Sequence, residues 1–443
     1  MNKCIETQNE KQLMMGNVAI ARGALEAGLK LATAYPGTPS SEIIETLASV
    51  TQKHSLYVEW SVNEIVAMQT AAAGSLAGIR SLCAMKQNGL NLAADFLLHL
   101  AGSGTRAGIL LVTCDDPGAL SSINEADSRY FAKMFELPLL EPADFQQAKD
   151  LTKWAFDLSE QLNQVIILRS VTRLSHASGN VSLGPIPTEK PKAVFDFNGP
   201  FMDPWSGVVA SFPVSYKHRE QQKKLEIAIH TFESSPFNTY TGPKKPKLLI
   251  IASSSGCLYA REAISLLRLE DKVGLLSLAT VWPLPPKTIA KYCHPAGQIL
   301  VIEEQSPFLE ESIMVLLQQL FISLGYKKVY GRKTHTIPST GELTTDIVIN
   351  ALRQIFNIQY VPVSKSYQKK LKNLIEVGEL EERDVTFCPG CPHRASYWTI
   401  YHVLKKNKGD AFICGDVGCY TLDMRKTGLK TIKTILGMGS SLG

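Results

Sequence analysis

"LATAYPGTPSSEIIETLASV", residues 31–50, decides how the chain is read. A short apolar run meets a turn built from proline and glycine, and isoleucine and leucine then recur at helical spacing. That order is strand, turn, helix. Ser40 or Ser41 is placed to cap the helix, because a short hydroxyl can accept from the free amides of the first turn. The rhythm extends both ways. Met14, Val18, Ala21 and Leu25 predict a helix across 13–30, closed near Gly28. Downstream, "RSLCAM", "AGILLVTCDDPG" and "QVIILRS" read as strands, and "GLNLAADFLLHLAGSG" as a helix ended by glycine. Apolar runs of this length separated by helices predict an α/β fold: doubly wound parallel sheets, covered on both faces.

The pattern breaks over 177–244, where "LGPIPTEKPKAVFDFNGPFMDPWSG" is rich in proline and glycine and reads as a connection. It resumes at "KKPKLLIIASSSGCLYAREAISLL", with "VGLLSLATVWPLP" and "QILVIEEQSPFLEESI" behind it. The expected organisation is a first domain over 1–176, a second over 245–360, a linker helix over 361–384 and the opening of a third over 385–443. The chain's 443 residues allow roughly three domains at about 150 residues each. The last domain reads as incomplete, since so few strands would leave an open edge.

Composition excludes several classes. The net charge of +5 is too small and too dispersed for a nucleic-acid binder. The basic stretch "YKHREQQKKLE" (216–226) carries acids among its bases and reads as a solvated helix face. No run approaches the ~20 apolar residues that span a bilayer, and the polar start is no secretory signal. Cytoplasmic location is the expectation. Of nine cysteines, 4, 83, 114, 257 and 293 are scattered and read as free thiols; 388, 391, 414 and 419 crowd one window.

Candidate chemistry gathers where strands end. "AYPGTPSSE" (34–42) offers the hydroxyls of Thr38 and Ser40 at the edge where open α/β sheets bind ligands, or it is a capped turn and nothing more. Glu64 opens an Ala/Gly-rich helix in "YVEWSVNEIVAMQTAAAGSLAG" (57–78). Facing inward there, a carboxylate is desolvated and suited to hold or pass a proton; facing outward, it only complements the dipole. "MKQNGLN" (85–91) and "TCDDPGALSSINEADSRYFA" (113–132) are polar loops placed where a site would form. In "CPGCPHR" (388–394) the C-x-x-C spacing suits zinc through Cys388, Cys391 and His393, or iron–sulfur through Cys388, Cys391 and Cys419. A thioredoxin-type pair is disfavoured because no clear helix start follows. "GDVGCY" (415–420) and "GMGSSLG" (437–443) are turns whose glycines let backbone amides approach phosphate oxygens.

Taken together, "AYPGTPSSEI", "VEWSVNEIVA", "GLNLAADFL", "DDPGALSSINEADSRYFAK", "LPLLEPAD", "CPGCPHR" and "GDVGCYTL" resemble the large subunit of the indolepyruvate:ferredoxin oxidoreductases. These belong to the thiamine-diphosphate-dependent 2-oxoacid:ferredoxin oxidoreductases. "LSLATVWPLPPK" and "VIEEQSPFLEE" match the family's middle domain in the same order. The resemblance implies an aminopyrimidine-binding domain up to 176, a transketolase C-terminal-like domain over 245–360, and the start of a diphosphate-binding domain from 385. It implies that Glu64 bonds a ring nitrogen of the aminopyrimidine and that Thr38, with Asn91, meets the substrate. Asp416, Gly418, Cys419, Gly437 and Gly439 fall on the cofactor's diphosphate side. Cys388, Cys391 and Cys419 fit a proximal 4Fe-4S trio. The implied reaction decarboxylates an arylpyruvate, sends electrons through iron–sulfur clusters to ferredoxin, and delivers the acyl group to coenzyme A, with a small subunit as partner. The family's Mg2+-holding loop and cysteine-rich tail would lie past Gly443, so the expectation is a fragment or a truncated product that binds the cofactor poorly alone. The competing expectations are an inactive paralogue that only docks to a partner, and a zinc-binding α/β module.

Overall fold

The structure, a computed structural model, describes residues 5–189, 191–361, 363–378, 385–435 and 437. It forms two compact units, Met1–Ile358 and Gln359–Gly443. The first unit carries a seven-stranded sheet. Its strands are β2 (Leu31–Ala34), β3 (Tyr57–Trp60), β4 (Ser81–Lys86), β5 (Ile109–Asp115), β6 (Leu139–Leu140), β7 (Ile166–Val171) and β12 (Thr280–Trp282). Their order is β12-β6-β7-β5-β4-β2-β3, and all but β12 run parallel. Side chains alternate across the sheet with period two. Leu82, Leu110, Val112, Ile166 and Leu168 face one core with helices Gly16–Glu26 and Phe145–Leu162. Cys83, Met85, Ile109, Leu111 and Ile167 face the other, with helices Glu64–Leu76 and Gln87–Ser103.

That second core also contains Leu249, Ile251, Leu276 and Ile299 from a five-stranded sheet. The latter runs β14-β13-β10-β11-β9, with β9 (Thr239–Thr241), β10 (Leu248–Ala252), β11 (Val273–Ser277), β13 (Gln298–Ile302) and β14 (Lys328–Tyr330). Two segments cross the boundaries expected from the sequence. β9, from the connection, pairs antiparallel with β11. "VGLLSLATVWPLP" is not one strand: β11 stays in the second sheet, and β12 pairs antiparallel with β6 of the first. Asn238 fixes the crossing. Its Oδ1 accepts from the amides of Ala279 (2.9 Å) and Thr280 (3.2 Å), and its Nδ2 donates to Thr280 Oγ1 at 2.7 Å.

Three local expectations change. Met14 lies not in a helix but in β1 (Lys11–Met15), which pairs antiparallel with β8 (Ser178–Ser182); the helix begins at Gly16. Ser40 takes the N-cap position of helix Ser41–Ala48, yet its hydroxyl donates back to the Gly37 carbonyl at 2.8 Å instead of capping. The basic stretch does form a helix, Val214–Glu233, but Lys217, Gln221, Ala228 and Phe232 are buried along one stripe of it. The four described scattered cysteines, 83, 114, 257 and 293, are free and buried; Cys4 lies outside the described residues.

In the second unit, helices Lys365–Glu376 and Pro392–Lys406 accompany a two-stranded parallel pair, β15 (Ile413–Cys414) and β16 (Ile432–Thr434). Its core is Phe387, Tyr397 and Ile432. Asp423 organises the turn before β16: its buried carboxylate accepts from the amides of Leu429, Thr431 and Ile432 at 2.7–3.1 Å. Among the described residues no helix is long and apolar enough to cross a membrane.

Candidate functional site at the carboxyl edge of the first sheet

From β2 the chain runs out to the edge strand β3, then crosses back over β2 to β4 and on to β5. Strand order therefore reverses between β2 and β4. Ligands of open α/β sheets bind in the crevice this leaves at the carboxyl ends. Because these strands are parallel, the turns Tyr35–Ser40, Ser61–Asn63 and Asp116–Ser128 share that edge with the direct step from β4 into helix Gln87–Ser103.

Glu64 is the most distinctive residue there. It is the first residue of helix Glu64–Leu76, held by Asn63, whose Oδ1 accepts from the Val66 amide at 2.9 Å. The carboxylate faces inward and is 4% exposed. Burial raises its pKa; its own backbone amide and the Lys86 charge oppose the rise. Oε2 is buried with no hydrogen-bond partner. Gly89 supplies the space, since a Cβ there would fall 2.5 Å from Glu64 Cγ and Oε1. Gln87 Oε1 and Asn88 Oδ1, at the head of helix Gln87–Ser103, and Asp115 Oδ1, at the end of β5, are likewise buried without partners. Buried acceptors in that state cost free energy until a donor meets them.

The surrounding frame is bonded. Lys86 Nζ donates to the Ser121 carbonyl at 3.3 Å and Gln87 Nε2 to Ser122 Oγ at 3.2 Å. Asp116 accepts from the Ser121 amide and from Thr172 Oγ1, both at 2.7 Å. Asp115 accepts from Arg169 Nε at 2.6 Å and the Ser128 amide at 3.1 Å. Thr38 and Asn91 are exposed, on the β2 turn and on helix Gln87–Ser103 respectively. The sequence reads 85–91 as a polar loop, but Lys86 ends β4 and helix Gln87–Ser103 begins at the next residue, with no loop between them. Burial singles out Gln87 and Asn88, and only packing reveals it.

In the second unit, Cys391 N-caps helix Pro392–Lys406, so a helix does follow the C-x-x-C and the ground for disfavouring a redox pair falls. Cys391 Sγ lies 3.6 Å from His393 Nδ1. Cys388 and Cys419 are exposed, while Cys391 and Cys414 are half-buried. Among the described residues no three His, Cys, Asp or Glu side chains converge as a metal site. Asp416 Oδ1 accepts from the Val417 amide at 2.7 Å. Gly418 takes φ +136°, a conformation few other residues adopt, and no described residue would meet a Cβ at Gly437. Gly439 lies outside the described residues.

Thiol labelling checks this burial pattern. Ellman's reagent should modify Cys388 and Cys419 of the native chain first. Cys83, Cys114 and Cys257, whose buried thiols are pushed up to about 12, should react only on unfolding. Fast native labelling of Cys83 would contradict it.

Residues 22–232 match the thiamine diphosphate-binding family of pyruvate flavodoxin/ferredoxin oxidoreductases, and 247–327 match core domain II of pyruvate:ferredoxin oxidoreductase. Both matches are to families of pyruvate flavodoxin/ferredoxin oxidoreductases. The IorA subunit of indolepyruvate oxidoreductase from Archaeoglobus fulgidus is 37% identical over 99% of this chain and 68% of its own length. That from Pyrococcus horikoshii is 36% identical over 98% of this chain and 65% of its own. The chain belongs to this family of indolepyruvate oxidoreductase IorA subunits, and spans about two-thirds of the length of these relatives. The fold is also that of a 2-oxoglutarate:ferredoxin oxidoreductase from Magnetococcus marinus, at a TM-score of 0.60 and 18% identity, over 78% of this chain and 65% of that one.

Proposed function

We propose that this chain is the thiamine-diphosphate-binding part of an enzyme that oxidatively decarboxylates arylpyruvates, indolepyruvate among them. Electrons pass to ferredoxin and the acyl group to coenzyme A, with a small subunit as partner. The observation that carries the reading is Glu64: an inward carboxylate with an unbonded oxygen, beside the switch point of the sheet. An aminopyrimidine brings the N–H donors that such an oxygen lacks. When bound, thiamine diphosphate supplies the nucleophilic carbon and the electron sink for decarboxylation.

Glu64 would hold a proton at a ring nitrogen, and burial, by raising its pKa, suits it to keep and pass that proton. Gly89 keeps the carboxylate in place, and the paired frame around Asp115 and Asp116 keeps the edge rigid. Thr38 and Asn91 are the proposed substrate contacts. Asp416, Gly418, Gly437 and Gly439 are the proposed diphosphate side.

Two measurements on the full-length protein in its native assembly test this. Reduction of a viologen dye should require thiamine diphosphate and run faster with indolepyruvate or phenylpyruvate than with pyruvate. Equal rates with pyruvate would remove the aryl assignment, and cofactor-independent rates the whole reading. Gly89→Ala gives a sharper check. Alanine in a helix interior ordinarily gains up to about 1 kcal/mol over glycine. Here its methyl group would displace the Glu64 carboxylate, so thiamine diphosphate affinity, read by calorimetry, should fall at least ~10-fold.

A further inference from the structure

Lys86 stands at the carboxyl edge with a cation and no strong partner. It ends β4 and occupies the N-cap of helix Gln87–Ser103, making no side-chain cap bond. Helix N-termini favour Ser, Thr, Asp and anions. A lysine there adds positive charge to the positive end of the dipole, which costs stability unless an anion answers both. The fold nonetheless makes room for it. The lysine stem packs on Gly37, where a Cβ would come within 3.1 Å of its Cγ and Cδ.

The ammonium has three donors, and its one hydrogen bond among the described residues is the 3.3 Å contact with the Ser121 carbonyl. No carboxylate among the described residues is in ion-pair contact with it, and burial, which lowers its pKa, outweighs the favourable charges of Asp116 and Glu64 nearby. Thr38 follows Gly37 directly, so the chain places it at the rim where the lysine stem packs. At the same edge Glu64 Oε2, Gln87 Oε1 and Asn88 Oδ1 are buried and unbonded, on residues 1–9% exposed. Unbonded acceptors call for a ligand that carries donors, and the Lys86 ammonium is the group that answers its anionic end.

We infer that Lys86 is the cationic anchor for the carboxylate of the 2-oxo acid, placing it on the rim beside Thr38. The inference rests on the thiamine reading and adds to it a residue that sets substrate class. A compact ammonium on a flexible stem suits a carboxylate approached from one side, and charge-assisted hydrogen bonds are the strong ones. The contact serves binding more than chemistry. Decarboxylation would release the carboxyl group as neutral carbon dioxide and leave the bonding electron pair on the keto-carbon fragment, for which bound thiamine diphosphate would supply the electron sink. The negative charge that Lys86 holds is therefore lost during the step, and its loss should show in KM far more than in kcat.

The experiment uses the full-length protein in its native assembly, loaded with thiamine diphosphate, as wild type, Lys86→Met and Lys86→Arg. Equilibrium binding is measured for thiamine diphosphate, for phenylpyruvate and for the uncharged methyl ester of phenylpyruvate, alongside KM and kcat. Lys86→Met should weaken phenylpyruvate about 10- to 100-fold. It should leave the ester and the cofactor unchanged, and Lys86→Arg should recover most of the loss. Lys86→Gln replaces Met if the latter disturbs folding. Equal weakening of the ester, or no weakening of phenylpyruvate, overturns the anchor while the cofactor reading stands. Weaker thiamine diphosphate binding in Lys86→Met would assign the lysine to the cofactor and also overturn it. A wild type that binds no thiamine diphosphate removes both readings.

Discussion

Glu64→Gln is expected to lower kcat about 10²- to 10⁴-fold in the full-length enzyme, the range general acid–base groups contribute, and to leave the melting temperature unchanged or higher. Glutamine keeps the shape that fits against Gly89 but cannot exchange a proton. The stability arm follows from sign. Burial holds the folded pKa of Glu64 above its unfolded value. Its contribution to stability is thus present below the unfolded pKa and lost as pH rises through the raised one. Above that raised pKa the ionised carboxylate is a cost, and removing it relieves that cost. A residue that destabilises the fold while enabling chemistry is what a functional site predicts. Turnover within a few-fold of wild type would remove Glu64 from the mechanism. A large fall in melting temperature would recast it as structural.

The second large effect lies where the two sheets of the first unit meet. Arg129 is fully buried. Its guanidinium reaches Asp127 and Glu303 at 2.6 Å each and donates to the carbonyls of Glu304 (2.6 Å) and Ser306 (2.8 Å). Arg169 continues the network to Asp115 and Glu141, both at 2.6 Å. Arg129→Met should cost about 3–5 kcal/mol in urea unfolding of the first unit, because it leaves buried carboxylates unpaired. A cost below about 1 kcal/mol would show that water or a second cation replaces the arginine.

The pH dependence has a stated sign. Burial pushes Glu303 up to about 7, against the pull of Arg129, from an ordinary value of 4.5. Its contribution is full below about 4.5 and is lost as pH rises through 7. Asp127 behaves oppositely: although burial opposes it, Arg129 and Arg169 draw it down to about 2, so its contribution is lost only as pH falls through that value. Stability should fall between pH 5 and 7.5, and Glu303→Gln should flatten that fall.

Several of these features were legible in the sequence. "LATAYPGTPSSEIIETLASV" does form strand, turn and helix, because β-compatible runs, turn residues and 3.6-residue periodicity act over a few neighbours. Glu64 at the head of a small-residue helix was legible for the same reason, and small residues are what let it sit inward. Ordered motifs identified the family. Met14 went wrong because a strand followed at once by a helix mimics one longer helical stripe.

Sequence alone determined the parallel α/β class, the family, and which turns end strands, since each depends on local chemistry or on residues in order. Only the tertiary structure decided which buried groups are unpaired, and it did so across large sequence separations. Gly89 makes room for Glu64, Gly37 for Lys86, and Asn238 directs β12 into another sheet. Arg129 finds Glu303 across 174 positions. Burial and charge pairing are properties of what packs against a residue, and no window of sequence contains its neighbours.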